Sequence, residues 1–560
     1  MSSATTISVE DTSETPEVNP WLIGVVVSLA AFMEVLDTSI ANVALPHIAG
    51  SMGASNDEST WVLTSYLVSN AIVLPISGFL VGLLGRKRFF LICIAFFTVS
   101  SFLCGLAPSL GLLLLFRVLQ GAFGGGLQPM TQAILADTFP PEKRGLAFAL
   151  YGVTAICAPA IGPTLGGWLT DNYSWRWIFY INVPVGVLAV ILVSQLVKDP
   201  PYLVREKNRK TSFDFVGFGI LAIAVGALQV ALDKGQEDDW FGSHFITALL
   251  IIAAVGLISL VIWEWFHKEP IVDVHLFKIF NFMSSCVMFF VVGIVLFSST
   301  VLLPQFLQTL MGYTAQKAGM VLSAAAILLL ILLQIVGRLT TRLQARHILA
   351  FGWITLALGM ILLQIVGRLT TRLQARHILA FGWITLALGM YVTCKRIDLL
   401  ISFGSATWLR IVQYLPVGFL FVPLTMTGYV GVPKTKTNAA AGLMNFMRNI
   451  GQSVGTSAVT TLIARRSQYH QSVLAVYTRS PQFNATVAEL TTRLSHAGFD
   501  LYEAQQAALV KTYDALNAQA QALSYVDVYW LLAVTSALMF LLCFLLEKNE
   551  PGASGEIQVH

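Results

Sequence analysis

WLIGVVVSLAAFMEVLDTSIANV, residues 21–43, is the stretch from which the fold is read. It is apolar almost end to end and contains no Lys or Arg. A helix rises about 1.5 Å per residue, so about 20 such residues cross the roughly 30 Å hydrocarbon layer of a bilayer. A strand of an outer-membrane barrel would alternate apolar and polar residues, and this run does not. The two charges it does hold, Glu34 and Asp37, stand at i and i+3 and share one helix face.

Similar runs follow at 61–84, 89–107, 111–136, 146–170, 177–197, 213–232, 244–266, 282–307 and 318–337. They resume at 348–366, 378–394, 404–430, 439–464 and 525–546. Over the whole 560 residues, 56% are apolar and 11% charged, with a mean hydropathy of +0.72. Soluble proteins carry about 25% charged residues. The composition therefore excludes a soluble enzyme, a disordered chain, a secreted disulfide scaffold and a nucleic-acid binder. It predicts one polytopic all-α unit in a lipid bilayer. The net charge of +4 points to no partner, and the six cysteines are scattered with no CxxC pair. Residues 1–20 are acidic, without the basic start of a secretory signal, and are expected to form a short cytoplasmic tail.

The count of spans turns on a repeat. Residues 331–360, ILLQIVGRLTTRLQARHILAFGWITLALGM, recur letter for letter at 361–390. Repeats that build solenoids number at least about three. Two identical copies are what a recent tandem duplication, or an error in assembling the gene sequence, leaves behind. One copy gives fourteen spans. With the N-terminus inside and one copy counted, the inside connections hold eighteen Lys and Arg, and the short outside connections hold five. This is the positive-inside bias, and it places both termini in the cytoplasm. The reading predicts that 348–366 does not cross the bilayer. The connection 465–524 is the one long outside segment. Its helical spacing around 488–494 and 504–516 predicts a solvated helical loop or a docking surface for a periplasmic partner.

Three features carry chemistry. Glu34 and Asp37 are costly near the middle of a bilayer, and such residues face a bundle interior or a water cavity and often relay protons. Desolvation disfavours the charged form of a carboxylate, which opens it to proton uptake. A structural hydrogen-bonded pair is the alternative. Arg117, in LLLLFRVLQGAFGGGLQP, cannot discharge and needs a carboxylate, so Asp37 or Glu34 is its expected partner. Arg410 and Arg448 are two further cations on spans, each a candidate for an interface. The run GVTAICAPAIGPTLGGWLTD places Pro159 and Pro163 at i and i+4, followed by Gly166 and Gly167. Prolines kink a helix and small residues admit a close neighbour. This predicts a kinked helix at the interface between two rocking halves. Asp137, Pro140 and Glu142 read as punctuation at a helix end.

These residues form a recognisable set. LDTSIANVALP (36–46), Gly78 to Arg88 (GFLVGLLGRKR), Arg117 with Gly121, Gly162-Pro163 with Gly166-Gly167, WRWIFYINVPVG (175–186) and NFMRNIGQSVG (445–455) follow in order. Together they resemble the fourteen-span drug:proton antiporters of the major facilitator superfamily, the EmrB/QacA type, over about 21–546. The resemblance implies a first six-helix half at 21–198 and an inserted helix pair with its flanking loops at 199–281. A second six-helix half would occupy 282–546, and a cytoplasmic tail 547–560. It further implies alternating access with a site near the midplane, and export of small hydrophobic or amphipathic molecules driven by the proton gradient with no cofactor. Asp37, Glu34 and Arg117 would couple protons. Gly162, Pro163, Gly166 and Gly167 would form the antiporter motif, and Gly78, Gly85, Arg86 and Lys87 the gating loop. Asn445, Arg448 and Gln452 would form a polar site in the second half. Relatives in Gram-negative cells work from the inner membrane with a periplasmic adaptor and an outer-membrane channel. Gly82 stands where the gating-loop motif usually has Asp, so a charge contact through that Asp is not expected here. An exporter of one metabolite or siderophore is the nearest alternative. A membrane enzyme or a receptor is the more distant one, because the chain holds no HExxH or GxxxxGK[ST] motif.

Overall fold

The computed structural model describes residues 19–199, 213–267, 269–314, 317–323, 375–414 and 416–545. Among these, twelve helices are long and apolar enough to cross a membrane. The first span is α1 (Pro20–Met52). Asn19 caps it by accepting from the Trp21 backbone N–H (3.0 Å), and it ends at Gly53 in the left-handed region. A capping box formed by Ser55 and Glu58 starts α2 (Asn56–Leu84). The chain turns at Gly85 (φ 83°) straight into α3 (Arg86–Leu106). Two pieces, α4 (Leu110–Gly124) and α5 (Leu127–Thr138), make one span broken at its glycines. The first half is completed by α6 (Pro141–Asn172), α7 (Trp177–Tyr180) and α8 (Asn182–Leu196).

An inserted pair follows, α9 (Phe215–Lys234) and α10 (His244–Phe266). A Cβ at Gly256 would lie 2.7 Å from the Ala224 side chain, so these two helices touch closely. The pair straddles a seam: Asp233 and Lys234 of α9 bond to Thr64 and Thr60 of α2, while Gln229 donates to Ser453 of the second half (2.7 Å).

The second half opens with α11 (Phe280–Val292), a π turn at Gly293–Phe297, and α12 (Ser298–Thr309). It continues with α13 (Ala375–Arg396), α14 (Phe403–Tyr414) and α15 (Val417–Gly428). Then come α16 (Thr437–Ala475), α17 (Pro481–His496) and α18 (Leu501–Leu542). Long as it is, α16 is not among the twelve spans marked by composition. Asn445, Arg448, Asn449, Gln452 and Ser453 make it polar, and it lies between the halves. The run 318–337 is described only to Ser323. The rest of it, the first copy of the repeat and the run 348–366 lie outside the described residues, and with them the fourteen-span count.

The segment 465–524 is not a loop with short helices. Helix α16 continues through it to Ala475, α18 begins at Leu501, and α17 packs along α18. With 39 and 42 residues, α16 and α18 are each about 60 Å long, roughly twice the hydrocarbon thickness. Asp527 ties them together by accepting from Arg466 and pairing with His470, both at 2.8 Å. The result is a helical hairpin that projects well beyond the bilayer.

Candidate functional site

Asp37 and Arg117 meet inside the first half. Arg117 Nη1 donates to Asp37 Oδ2 at 2.6 Å, and the two residues are 0% and 2% exposed. Asp37 Oδ1 accepts from Gln120 Nε2 (2.9 Å) and Asn182 Nδ2 (2.7 Å). Arg117 also donates from Nε to the Val62 carbonyl (3.0 Å) and from Nη1 to Gln120 Oε1 (2.9 Å). The Tyr66 ring lies 4.3 Å from its guanidinium carbon. A buried charge is tolerated only when paired and hydrogen-bonded, and here both charges are. Of the two partners the sequence left open for Arg117, the structure selects Asp37.

Glu34 faces the other way. Tyr66 Oη and Asn70 Nδ2 donate to its Oε1, both at 3.2 Å, and Gln128 Nε2 donates to Oε2 (2.5 Å). The Gln128 carbonyl accepts from Tyr151 Oη (2.9 Å) and from Arg448 Nη2, which belongs to α16. Beside this bridge, Asn445 donates to Gln132 (2.9 Å) and Asn449 donates to Asn70 (3.3 Å). Asn445 and Arg448 therefore join first-half residues at the middle of the molecule. Gln452, one turn further on, adds no hydrogen bond to this network among the described residues.

Arg410 does not lie at the interface. It is buried within the second half and donates to the Ser299 carbonyl (3.1 Å), Gln413 Oε1 (3.0 Å) and Thr300 Oγ1 (2.8 Å). Arg410 with Gln413 repeats the spacing and the internal bond of Arg117 with Gln120. Ser299 and Thr300 accept from the Arg410 guanidinium as Asp37 does from that of Arg117, so the second half holds a replica of the hydrogen-bonding pattern without a carboxylate.

The proline-glycine stretch of α6 has neighbours on two sides, its glycines against its own half and Pro163 and Thr164 against Gly319 and Ser323 of the other. A Cβ at Gly162 would lie 2.4 Å from Ser39 Oγ, and one at Gly166 would lie 3.1 Å from the Ile40 backbone oxygen. The stripe packs on α1 of its own half, with Gly167 in looser contact with Val43. Pro163 has no N–H for the Pro159 carbonyl four residues back, and Ser39 donates to that carbonyl instead (3.1 Å). The opposite half is reached from the next residue, where Thr164 bonds to Ser323 (2.9 Å).

At the gating loop, buried Arg86 pairs with Asp137 at 2.6 Å. Asp137 stands at the end of α5, as expected, and is in addition an ion-pair partner, so the loop keeps a charge contact although position 82 is Gly. Lys87 donates from its backbone N–H to Asp199 (2.7 Å) and from Nζ to the Ser194 carbonyl (2.6 Å). A Cβ at Gly78 would fall 2.5 Å from Ala439 Cα. Phe148 stacks on Tyr429 at the same end, so the halves are in contact there.

Sequence reading missed Gln120, Gln128, Gln132, Asn182, Tyr66, Asn70 and Tyr151. An amide on an apolar span was the available signal: Gln120, Gln128 and Gln132 recur on α4 and α5 at helical spacing. Among the described residues no group of three His, Cys, Asp or Glu is placed to hold a metal ion.

The twelve described helices able to cross a membrane, with an ion pair buried among them, are the frame of a multi-pass membrane protein. Residues 27–456 match the Major Facilitator Superfamily, and the chain belongs to it. It is similar to the "Multidrug export protein EmrB" of Escherichia coli (strain K12), 36% identical over 510 residues that cover 91% of this chain and 92% of that one. It is likewise 36% identical over 473 residues to the "Fatty acid resistance protein FarB" of Neisseria gonorrhoeae, covering 84% and 85%. Among solved structures, the human organic anion transporter MFSD10 (TETRAN) shares the fold. That likeness has a TM-score of 0.53 at 12% identity and covers 93% of this chain and all of that one. The chain is a multi-pass membrane transporter of the multidrug-export type.

Proposed function

We propose that this transporter exports small hydrophobic or amphipathic molecules in exchange for protons, by alternating access between its two halves. The observation that carries the reading is the Asp37–Arg117 pair, buried and closed on itself in a span. A proton on Asp37 cancels one charge of the pair and frees Arg117, which changes how α1 and α4 are held. Glu34 is the second exchanging carboxylate, and no cofactor takes part. The names of the relatives, multidrug export and fatty acid resistance, favour apolar and amphipathic cargo.

The Lys and Arg distribution supports an inner-membrane protein with both termini in the cytoplasm. The projecting hairpin then faces the periplasm. It carries exposed Val476, Tyr477, Phe499, Leu501, Tyr502 and Val510, a surface suited to a periplasmic adaptor that leads to an outer-membrane channel. Cysteines at Gln482 or Ser495 are expected to cross-link to a co-expressed adaptor.

Everted membrane vesicles test the central claim. Accumulation of a fluorescent amphipathic dye should follow an imposed proton gradient and collapse when a protonophore removes it. Accumulation that persists without the gradient, or that needs ATP, refutes proton exchange.

A further inference from the structure

We propose that Gln128 is a positioning residue that carries the protonation state of Glu34 across to Arg448, so that the two halves are held together more tightly while Glu34 is ionised. The proposal rests on the proton-exchange reading above and adds the route by which the second half senses the proton.

The geometry fixes the direction of this relay. An ionised carboxylate only accepts, and a guanidinium only donates. An amide between them has a single workable orientation, with Nε2 toward Glu34 and Oε1 toward Arg448, and that is the orientation present. Tyr151 reinforces it by donating to the same Oε1 (2.9 Å). Arg448 has no ion-pair partner among the described residues. Its hydrogen bonds go to the neutral groups of Gln128, Tyr151 and Asn449, and its buried Nε has no partner there. In the second half the last span, 525–546, holds one carboxylate, Asp527, and it is already taken by Arg466 and His470. From 274 to 397 and from 399 to 488 the sequence contains no Asp or Glu. The negative charge that compensates Arg448 is therefore Glu34, reached through one amide.

The titratable and charged groups facing Glu34 are Tyr66 from α2, Tyr151 from α6 and Arg448 from α16, with Asp37 one turn along α1 and Arg117 behind Tyr66. A proton arriving on Glu34 Oε2 sets a donor against the Gln128 Nε2 donor. A proton on Oε1 leaves Oε2 a neutral acceptor, with roughly half the strength of the charge-assisted bond. In either case the amide loses its anchor, and Arg448 loses the anion that offsets its burial. Of the neighbouring contacts across the seam, Gln132 with Asn445 is between neutral amides and does not respond to a proton, whereas Asn70, which donates to Glu34 Oε1 (3.2 Å) and accepts from Asn449 (3.3 Å), is a second and longer route from the same carboxylate to a neutral group of α16.

Spin labels at Trp168→Cys and Met320→Cys, exposed positions on opposite halves, report the separation of the halves in nanodiscs with no gradient applied. Acidification of the otherwise unaltered chain should shift the ratio of the two distance populations by about tenfold, the worth of one hydrogen bond to a charged group. Glu34→Gln should sit at the acid ratio at every pH. Gln128→Leu should approach it and lose most of the pH response, the remainder passing through Asn70. Gln128→Glu, which sets a carboxylate directly against Arg448, should hold the halves together into more acidic buffer; this variant keeps the test decisive if Gln128→Leu does not fold. A full pH response in Gln128→Leu, or no response in the unaltered chain, overturns the relay. If the distances respond through Gln128 while vesicle transport proves independent of protons, the relay stands and the export reading falls.

Discussion

Replacing Asp37 by Asn removes one charge and almost no volume. The carboxylate takes three donors, from Arg117 at 2.6 Å, Gln120 at 2.9 Å and Asn182 at 2.7 Å. The Asn amide keeps one carbonyl oxygen for them and turns an NH2 group toward the rest. Arg117 is left with the Val62 carbonyl and Gln120 Oε1, both neutral. Removing one member of a buried ion pair costs about 3–5 kcal/mol. The retained carbonyl, accepting from a charged donor, restores about 1.5 kcal/mol. The net loss expected for Asp37→Asn is therefore about 1.5–3.5 kcal/mol. Arg117→Gln should cost a similar amount, because it strands the carboxylate. The double variant strands neither, so its cost should fall short of the sum by about 1–3 kcal/mol. Denaturant unfolding in mixed micelles measures all three, and vesicle transport is read in parallel. Asp37→Asn should insert normally and show no proton-driven accumulation. Strict additivity in the unfolding cycle, or a substrate gradient built by Asp37→Asn against a proton gradient, would refute the reasoning.

Gly78→Val should part the halves at the gating loop, because its Cβ would meet backbone atoms of Ala439 that no rotamer change can move. A cysteine placed at the buried position Asn438 in a cysteine-free background should then become reactive to maleimide, and transport should fall to background. Arg410→Gln should lower stability by about 2–4 kcal/mol, since it gives up several hydrogen bonds from a charged donor, yet leave the pH profile of transport unmoved, because the replica site has no carboxylate. A shifted profile would assign the second half a proton. A reporter fused after Glu550 should give a cytoplasmic signal in an active transporter. A periplasmic signal would show that an odd number of spans is in use and that 348–366 crosses the bilayer.

The sequence by itself determined that the chain crosses a membrane many times as helices, and roughly where. Lipid imposes that locally: every backbone polar group must be satisfied within its own segment, so a continuous apolar run of sufficient length is already a span. The same local logic picked out Glu34, Asp37 and Arg117, which stand out by their cost in hydrocarbon. It reached its limit where a residue's meaning depends on what it touches. Asp37 and Glu34 share a helix face, yet Asp37 turns to Arg117, 80 residues away, and Glu34 to Gln128, 94 residues away. Gln128 then meets Arg448 across 320 residues. Asp137 was legible as the end of a helix, but its ion pair with Arg86, 51 residues away, was not. The α6 stretch was legible as a close-packing helix, but only the structure shows that its glycines meet Ser39 and Ile40 of α1 while Pro163 and Thr164 meet the other half. Once helices are inserted, lipid no longer distinguishes their apolar faces, and small residues and polar groups decide which faces meet. Those choices depend on pairs of residues far apart in the chain, so they become visible only when the helices are side by side.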